Sequence, residues 1–188
     1  MRIIRGIWAE ERLTSPGRRV RPTHETVRDA WMTYLEPCLQ NARILDLFAG
    51  SGALGLEALS RGAWCVDFVD NSGEALHAPK ANVAKRRIRV ARRGHGRTEG
   101  NKSARIFKRD AIPFVARLDP DAYDIAFADP PYGSRKLDRV VERWMDSPFA
   151  PLLCVEHAPD HIVPAGGAHR LDFEGSSLTF YGKLPTFE

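Results

Sequence analysis

Residues 43–62, RILDLFAGSGALGLEALSRG, contain three successive patterns. A mostly apolar run over residues 44–48 predicts a buried strand. The small residues at 49–52 predict a tight turn, and the apolar periodicity after them predicts a helix that ends at Gly62. The glycines would let the backbone of the turn approach a ligand closely, and the helix N-terminus offers unpaired N–H groups. We therefore expect a small molecule to bind at this turn.

Two cofactor classes compete for this turn. Gly50, Gly52 and Gly55 match the G-x-G-x-x-G fingerprint of dinucleotide-binding folds. Asp46 argues against that interpretation, because a carboxylate beside the turn would repel a pyrophosphate and would suit a cationic ligand with amine and sulfonium groups. The segment DLFAGSG, residues 46–52, is similar to motif I of S-adenosylmethionine-dependent methyltransferases.

The composition fits one globular domain of 188 residues, 43% of them hydrophobic. No stretch approaches the roughly 20 apolar residues of a membrane span, and the first five residues lack the apolar core of a signal peptide. The three cysteines, Cys38, Cys65 and Cys154, are widely spaced among apolar neighbours, which predicts buried free thiols rather than disulfides or a metal site. We expect a cytoplasmic monomer without a membrane or metal partner.

The net charge of +4 conceals two basic segments. Residues 1–21 hold six arginines against two glutamates, and residues 85–109 hold eleven Lys and Arg against Glu99. A fold does not need this segregation, whereas a polyanionic partner would exploit it. For the second segment, a solvated basic loop is an equally good explanation. We predict a basic arm or hairpin over residues 1–22, with its turn at 15–17, and a mobile basic loop over 85–105.

Strands and helices alternate along the rest of the chain. The patterns predict a helix capped by Thr23 and ending at Pro37, and further helices over residues 71–85, 112–118 and 137–144. They predict strands over residues 64–70, 103–109, 123–128, 151–156, 169–174 and 177–183, the last two forming a hairpin. This order implies a three-layer α/β sandwich around a mostly parallel sheet with an antiparallel edge.

Asp129-Pro130-Pro131-Tyr132 is the second segment that carries chemistry. Ligands of open α/β sheets bind beyond the carboxyl ends of the strands, so this tetrapeptide and the glycine turn should face one cleft. Two consecutive prolines stiffen the loop and leave its carbonyls as acceptors. Asp129 and the Pro130 carbonyl could hold the amine of a flipped or unpaired base while Tyr132 stacks on it. A dehydrogenase has no use for this tetrapeptide, which favours the methyltransferase interpretation.

Two further acids follow predicted strands. Asp70 ends the second strand, where either cofactor class has a carboxylate that accepts from the ribose hydroxyls. Asp110 follows the strand over residues 103–109 and is well placed to accept from an adenine amino group. Both therefore predict binding of a nucleoside, and neither separates the two cofactor classes.

The chain resembles the RsmD family, the bacterial 16S ribosomal RNA guanine-N2 methyltransferases. The resemblance is carried by Arg21-Pro22-Thr23 with Val27-Arg28-Asp29-Ala30, by residues 46–62, and by Asp129-Pro130-Pro131-Tyr132. It implies a Rossmann-like class I methyltransferase fold with a seven-stranded sheet. It also implies methyl transfer from S-adenosylmethionine to the N2 amine of a guanine in 16S rRNA, free or in the assembling small ribosomal subunit. Asp129 suits guanine, because one carboxylate can accept from both N1–H and N2–H.

The resemblance implies three groups of site residues. The catalytic residues would be Asp129, Pro130, Pro131 and Tyr132. The cofactor residues would be Asp46, Phe48, Ala49, Gly50, Ser51, Gly52, Asp70, Asn71, Asp110 and Ala111. The residues that contact substrate RNA would be Arg5, Arg18, Arg19, Arg21, Thr23 and Arg28. Two alternatives remain: an adenine-N6 methyltransferase acting on DNA or RNA, and a non-catalytic RNA-binding module with an inactive nucleoside pocket.

Overall fold

The computed structural model describes residues 1–15, 24–91 and 101–182. Helices and strands alternate through most of these ranges. The helices are α1 (Glu25–Leu39), α2 (Ala53–Ser60), α3 (His77–Lys85), α4 (Ala111–Val115) and α5 (Lys136–Asp146). The strands are β1 (Arg43–Leu47), β2 (Cys65–Asp70), β3 (Arg89–Val90), β4 (Ser103–Lys108), β5 (Ile125–Ala128), β6 (Leu152–His157), β7 (His169–Phe173) and β8 (Ser176–Gly182). Among the described residues, no helix is both long enough and apolar enough to cross a membrane.

The strands form one sheet in the order β3-β4-β2-β1-β5-β6-β8-β7. Its pairs are parallel except at β8, which runs antiparallel to both β6 and β7. The predicted fold class is confirmed, with eight strands described rather than seven. The difference is the two-residue edge strand β3, which pairs with β4 in the basic segment expected to be a loop. The strand order reverses at β1, the switch point where open α/β sheets bind their ligands.

Two apolar clusters cover the two faces of the sheet. One contains residues of α1, α2 and α3, and the other contains residues of α4 and α5. Central strands such as β1 and β6 are buried on both faces, which explains their nearly continuous apolar sequences. All three cysteines are free thiols, as predicted, although Cys38 is only half-buried.

Two helices differ from their predicted limits for reasons connected with proline. Helix α1 continues through Pro37 to Leu39, because the buried side chains of Leu35 and Leu39 extend its apolar face by one turn. Helix α3 begins at His77, not at residue 71. Pro79 therefore falls in its first turn, where a missing N–H removes no hydrogen bond.

Residues 1–13 form a hairpin whose two arms join through an antiparallel bridge between Arg2 and Arg12. The backbone N–H of Glu10 donates to the carbonyl of Ile3 at 2.9 Å. The turn of this hairpin lies within residues 5–10, whereas the turn predicted at 15–17 lies mostly outside the described residues. Gly6 makes this turn possible, because its φ is +86° and a Cβ there would lie 2.1 Å from the carbonyl oxygen of Ser60. The hairpin is thus pressed directly against α2.

Glu57 of α2 attaches this hairpin to the helix that follows the glycine turn. Its buried carboxylate accepts from the backbone N–H groups of Ile4 at 2.8 Å and Arg5 at 2.9 Å. It also lies 3.6 Å from Nε of Arg28, which is fully buried and whose Nη2 donates to the carbonyl of Arg2. This placement contradicts the predicted RNA contact at Arg28. The side chain was needed to neutralise a buried glutamate, which helical spacing alone did not reveal.

Several basic side chains of residues 85–109 also serve the fold. Residues 92–100 of this segment lie outside the described ranges, whereas three cations next to them have defined internal contacts. These contacts join Arg86 to Glu11 (3.2 Å), Lys102 to the carbonyl of Ala63 (2.9 Å), and Arg105 to Asp67 (2.8 Å). Part of the positive charge of this segment therefore stabilises the fold and is not available to bind a partner.

Candidate active site

The glycine turn and the Asp-Pro-Pro-Tyr segment line one cavity of about 370 Å³. Strands β1 and β5 are neighbours, with Leu47 paired to Ala128, so the segments after them leave the sheet at the same edge. The predicted shared cleft is confirmed. The predicted residues that line it are Asp46, Phe48, Ala49, Gly50, Ser51, Asp70, Asn71, Asp129, Pro130, Pro131 and Tyr132.

The lining also contains residues that the sequence analysis missed. These are Ala53, Leu54, Ser72, Ala75 and Glu156. Glu156 could have been found by the rule that identified Asp129, because it too lies at the carboxyl end of a central strand. Three predicted cofactor residues, Gly52, Asp110 and Ala111, are not part of the lining.

Close packing inside the protein explains why positions 52 and 55 are glycine. A Cβ at Gly55 would lie 2.6 Å from side-chain atoms of both Phe68 and Val66, so α2 could not pack as closely on β2. A Cβ at Gly52 would lie 3.0 Å from Phe68 and Pro79. The space that a Cβ would need at these two positions is thus taken by side chains of the protein, and a contact of Gly52 with the cofactor stays a prediction. Of the three, only Gly50 lines the cavity.

Asp46 supports the start of α2 from the neighbouring strand. The N-cap of this helix is Gly52, which has no side chain to accept from the first N–H groups. The carboxylate of Asp46 does so instead, accepting from the N–H of Gly55 at 2.9 Å. Because Asp46 is only 1% exposed, burial raises its pKa well above the usual value, and repulsion by Asp129 and Asp70 raises it further.

Asp70 stabilises the glycine turn from β2. One carboxylate oxygen accepts from the N–H of Gly50 at 3.0 Å, and the other accepts from the N–H of Ser72 at 2.8 Å. Each carboxylate oxygen has a second lone pair. Asp70 can therefore hold the turn in place and still accept from the hydroxyl groups of a bound ribose.

Asp110 has structural contacts outside the cavity. Its carboxylate caps α4 by accepting from the N–H of Ile112 at 3.0 Å, and it forms an ion pair with Lys136. The hydrogen bond from Lys136 is the main reason that the pKa of Asp110 is lowered. A contact of Asp110 and Ala111 with an adenine stays a prediction.

The cavity is acidic. Four carboxylates line it, from Asp46, Asp70, Asp129 and Glu156, and no Lys or Arg of the described ranges contributes to the lining. Such a site favours a ligand with positive charge and disfavours a pyrophosphate. The donor set thus fits a sulfonium and ammonium ligand better than a dinucleotide. No group of three His, Cys, Asp or Glu in the described part of the chain has an arrangement suited to a metal ion.

Tyr132 stands at the mouth of the cavity and is 38% exposed. Its hydroxyl lies 3.2 Å from Oε1 of Glu156 and 3.1 Å from the carbonyl oxygen of Gly175. These contacts fix the end of a side chain whose loop is already stiffened by Pro130 and Pro131. A fixed, partly exposed aromatic ring at a cavity mouth can stack on a planar group.

The predicted RNA-binding residues are only partly described. Arg5 is on the surface, where its Nη2 donates to Asp29 at 2.8 Å. Arg28 is buried, as described above. The other four predicted residues, Arg18, Arg19, Arg21 and Thr23, lie outside the described ranges.

The chain is similar in sequence to proteins of one family. The family model described as "Conserved hypothetical protein 95" matches residues 1–155. The chain is 33% identical over 150 residues to the ribosomal RNA small subunit methyltransferase D of Escherichia coli K12, covering 78% of this chain and 68% of that protein. It is 31% identical over 136 residues to the protein of the same name from Haemophilus influenzae, covering 70% of this chain and 64% of that protein.

Solved structures share the fold over nearly the whole chain. One is the Escherichia coli protein yhhF, which is provisionally described as a methyltransferase. It has a TM-score of 0.77 at 29% identity and covers 96% of both chains. Another is the Thermus thermophilus protein TTHA0928, with a TM-score of 0.76 at 26% identity, covering 97% of this chain and 99% of that one.

Proposed function

We propose that this chain methylates the N2 amine of a guanine in the RNA of the small ribosomal subunit. The chain belongs to the RsmD family, whose model is described as conserved hypothetical protein 95. The chain is a methyltransferase, since its relatives are named as rRNA methyltransferases and its fold is theirs. Enzymes of this kind need a methyl donor, and we propose S-adenosylmethionine.

One observation carries this proposal. The glycine turn after β1 and the Asp-Pro-Pro-Tyr segment after β5 line the same acidic cavity. A donor held by the first and an amine held by the second would therefore meet inside a single site. Proximity of this kind is a large part of catalysis when two substrates must react in line.

The donor half of the site would consist of the glycine turn and two acids. Gly50 and Ser51 would lie against the ligand, Asp70 would accept from its ribose, and Asp46 would supply negative charge beneath it. When bound, S-adenosylmethionine supplies a methyl group on a positively charged sulfur. The acidic lining described above favours that charge.

The base half of the site would be formed by the stiff loop. An exocyclic amine is a weak nucleophile, because its lone pair is delocalised into the ring. The Asp129 carboxylate and the Pro130 carbonyl would accept from its N–H groups and orient the lone pair. The ring of Tyr132 would stack on the base, a contact worth about 1–3 kcal/mol. The target must be unpaired or flipped out of its stack to reach these groups.

Residues of the N-terminal basic segment would hold the RNA near the cleft. We include the exposed Arg5 and, from the part of the segment outside the described ranges, Arg18, Arg19, Arg21 and Thr23. Arg28 is left out because it is buried. Phosphate contacts of this kind position an RNA without reading its bases.

The proposal is tested by transfer of tritiated methyl groups. The protein would be incubated with labelled S-adenosylmethionine and either naked 16S rRNA or small-subunit particles that lack the modification, followed by nucleoside analysis. Labelled N2-methylguanosine is the expected product. Labelled N6-methyladenosine would instead establish the adenine alternative, and the absence of transfer to both substrates would refute the proposal.

A further inference from the structure

Glu156 is the lining carboxylate to which the proposed function gives no task. It follows Val155 in β6, and Val155 pairs with Ala128 at the end of β5. Asp129 follows Ala128, so the two acids occupy equivalent positions on adjacent parallel strands. Both line the cavity. Glu156 therefore lies on the base side of the cavity, next to the tetrapeptide.

The two carboxylate oxygens of Glu156 differ in their hydrogen bonds. Its Oε1 accepts from the hydroxyl of Ser176 at 2.7 Å and lies 3.2 Å from the hydroxyl of Tyr132. Its Oε2 is buried and has no hydrogen-bond partner among the described residues, and the whole residue is only 3% exposed. A buried carboxylate oxygen without a donor is costly. Because Glu156 lines the ligand cavity, a bound ligand is the natural source of the hydrogen-bond donor that Oε2 lacks.

We propose that Glu156 is the residue that selects guanine, its Oε2 accepting the N1–H of the target base. This inference rests on the proposed function. Guanine presents N1–H and the N2 amine side by side on one edge, so one acid can take each. Asp129 and the Pro130 carbonyl would hold the N2 amine, and Glu156 would hold N1–H.

The same arrangement excludes adenine. The N1 atom of adenine has no hydrogen and carries a lone pair, which would face the carboxylate oxygen of Glu156 and leave it unpaired. Sites built to bond a substrate N–H reject analogues that lack it far more strongly than apolar pockets reject a missing methylene. Ser176 and Tyr132 are positioning residues here, because they hold Oε1 and so direct Oε2.

Glu156→Gln is the matched variant for testing this role. A glutamine has the same shape, and its carbonyl oxygen can still accept from Ser176 and Tyr132. Its amide nitrogen then occupies the position of Oε2 and donates instead of accepting. The variant thus reverses the hydrogen-bonding preference toward N1 without removing the side chain.

The substrates for the test are two RNAs that differ only at the target base. One carries guanine and the other 2-aminopurine, which keeps the reacting amine but has an unprotonated N1. We expect the wild-type protein to prefer guanine, and Glu156→Gln to lower guanine methylation on the order of 10- to 100-fold. In the same variant, methylation of 2-aminopurine should fall less than methylation of guanine, or rise. The ratio of the guanine rate to the 2-aminopurine rate should therefore be much lower than in the wild-type protein. Glu174→Gln, which changes an exposed carboxylate in the β7–β8 turn, is the control and should leave the ratio unchanged.

A second measurement needs no variant. RNA with hypoxanthine at the target keeps N1–H and lacks the amine, so it should compete with the guanine substrate more strongly than the 2-aminopurine RNA does. This role of Glu156 would be overturned if Glu156→Gln lowered the methylation rates of guanine and 2-aminopurine by the same factor. It would also be overturned if the 2-aminopurine RNA competed more strongly than the hypoxanthine RNA. A wild-type protein that does not methylate guanine at all would overturn the proposed function instead.

Discussion

The carboxylate of Asp46 accepts a hydrogen bond from the backbone N–H of Gly55 at 2.9 Å. Asp46 belongs to β1, and Gly55 lies in the first turn of α2, so this contact spans the glycine turn. The acid that distinguished two cofactor classes in the sequence is therefore also part of the turn's support. Burial raises the pKa of this carboxyl well above its usual value, and this has a measurable consequence.

Asp46→Asn should stabilise the protein increasingly as the pH rises. The folded protein keeps the Asp46 proton to a higher pH than the unfolded chain, so wild-type stability falls between the unfolded pKa, about 3.9, and the raised folded pKa. An asparagine can still accept from Gly55 and does not ionise. The variant's advantage should be absent below pH 4 or so and grow by up to about 1.4 kcal/mol per pH unit across this window.

Urea unfolding at a series of pH values would measure this advantage, with the exposed Asp119→Asn as control. A difference that does not vary with pH would argue against the raised pKa. At a pH above the raised pKa of Asp46, the same variant should bind S-adenosylmethionine more weakly, since it removes negative charge beneath the proposed donor site.

Asp129→Ala should abolish methyl transfer while largely sparing binding of the donor. The carboxylate is assigned to the amine of the base, whereas the donor is assigned to the glycine turn, Asp46 and Asp70. Single-turnover transfer and calorimetric titration with S-adenosylmethionine would separate the two effects. Asp119→Asn, in the loop that leads to the opposite end of β5, should retain activity. Wild-type turnover by Asp129→Ala would refute the assigned role.

Glu57→Gln should destabilise the protein by about 3–5 kcal/mol, because it removes the charge that pairs with the buried Arg28. Glu57 pairs with Arg61 at 2.9 Å and with Arg28, in addition to its two backbone donors in the hairpin. Glu36→Gln is the matched control. Glu36 also pairs with Arg61, at 3.3 Å, but its side chain is 52% exposed, so its loss should change stability by less than about 1 kcal/mol. Similar losses in the two variants, by thermal or urea unfolding, would count against this network.

Replacing Arg18, Arg19 and Arg21 together by glutamine should weaken RNA binding and flatten its salt dependence. Each phosphate contact with a single-stranded RNA contributes about 0.7 to the slope of log affinity against log salt. The slope should therefore fall by up to about 2. A matched triple replacement of Arg92, Arg93 and Arg97 would test the second basic segment in the same way. A segment whose replacement leaves the slope unchanged makes no contact with the phosphates.

Local patterns predicted the fold class, the element order and the two segments that line the cavity. The alternation of apolar runs with helical periodicity required a layered sheet, and parallel strands bring their carboxyl ends to one edge. Asp46, Asp70 and Asp129 could be picked out for this reason, as acids at or near the ends of apolar strands. Glu156 lies at an equivalent strand end, but no glycine or proline stands directly beside it in the sequence to mark it as a site residue.

Only the tertiary structure decided what each charged side chain faces. Arg28 and Arg86 have the sequence character of surface cations, yet they are buried beside Glu57 and near Glu11. Gly55 resembles a ligand-binding glycine in its spacing, yet a Cβ there would meet Phe68 and Val66 of the adjacent strand. Burial, ion pairing and close packing depend on contacts between residues far apart in the chain. Spacing along the sequence sets the periodicity of an element, whereas the neighbours of a side chain are set by how the elements pack.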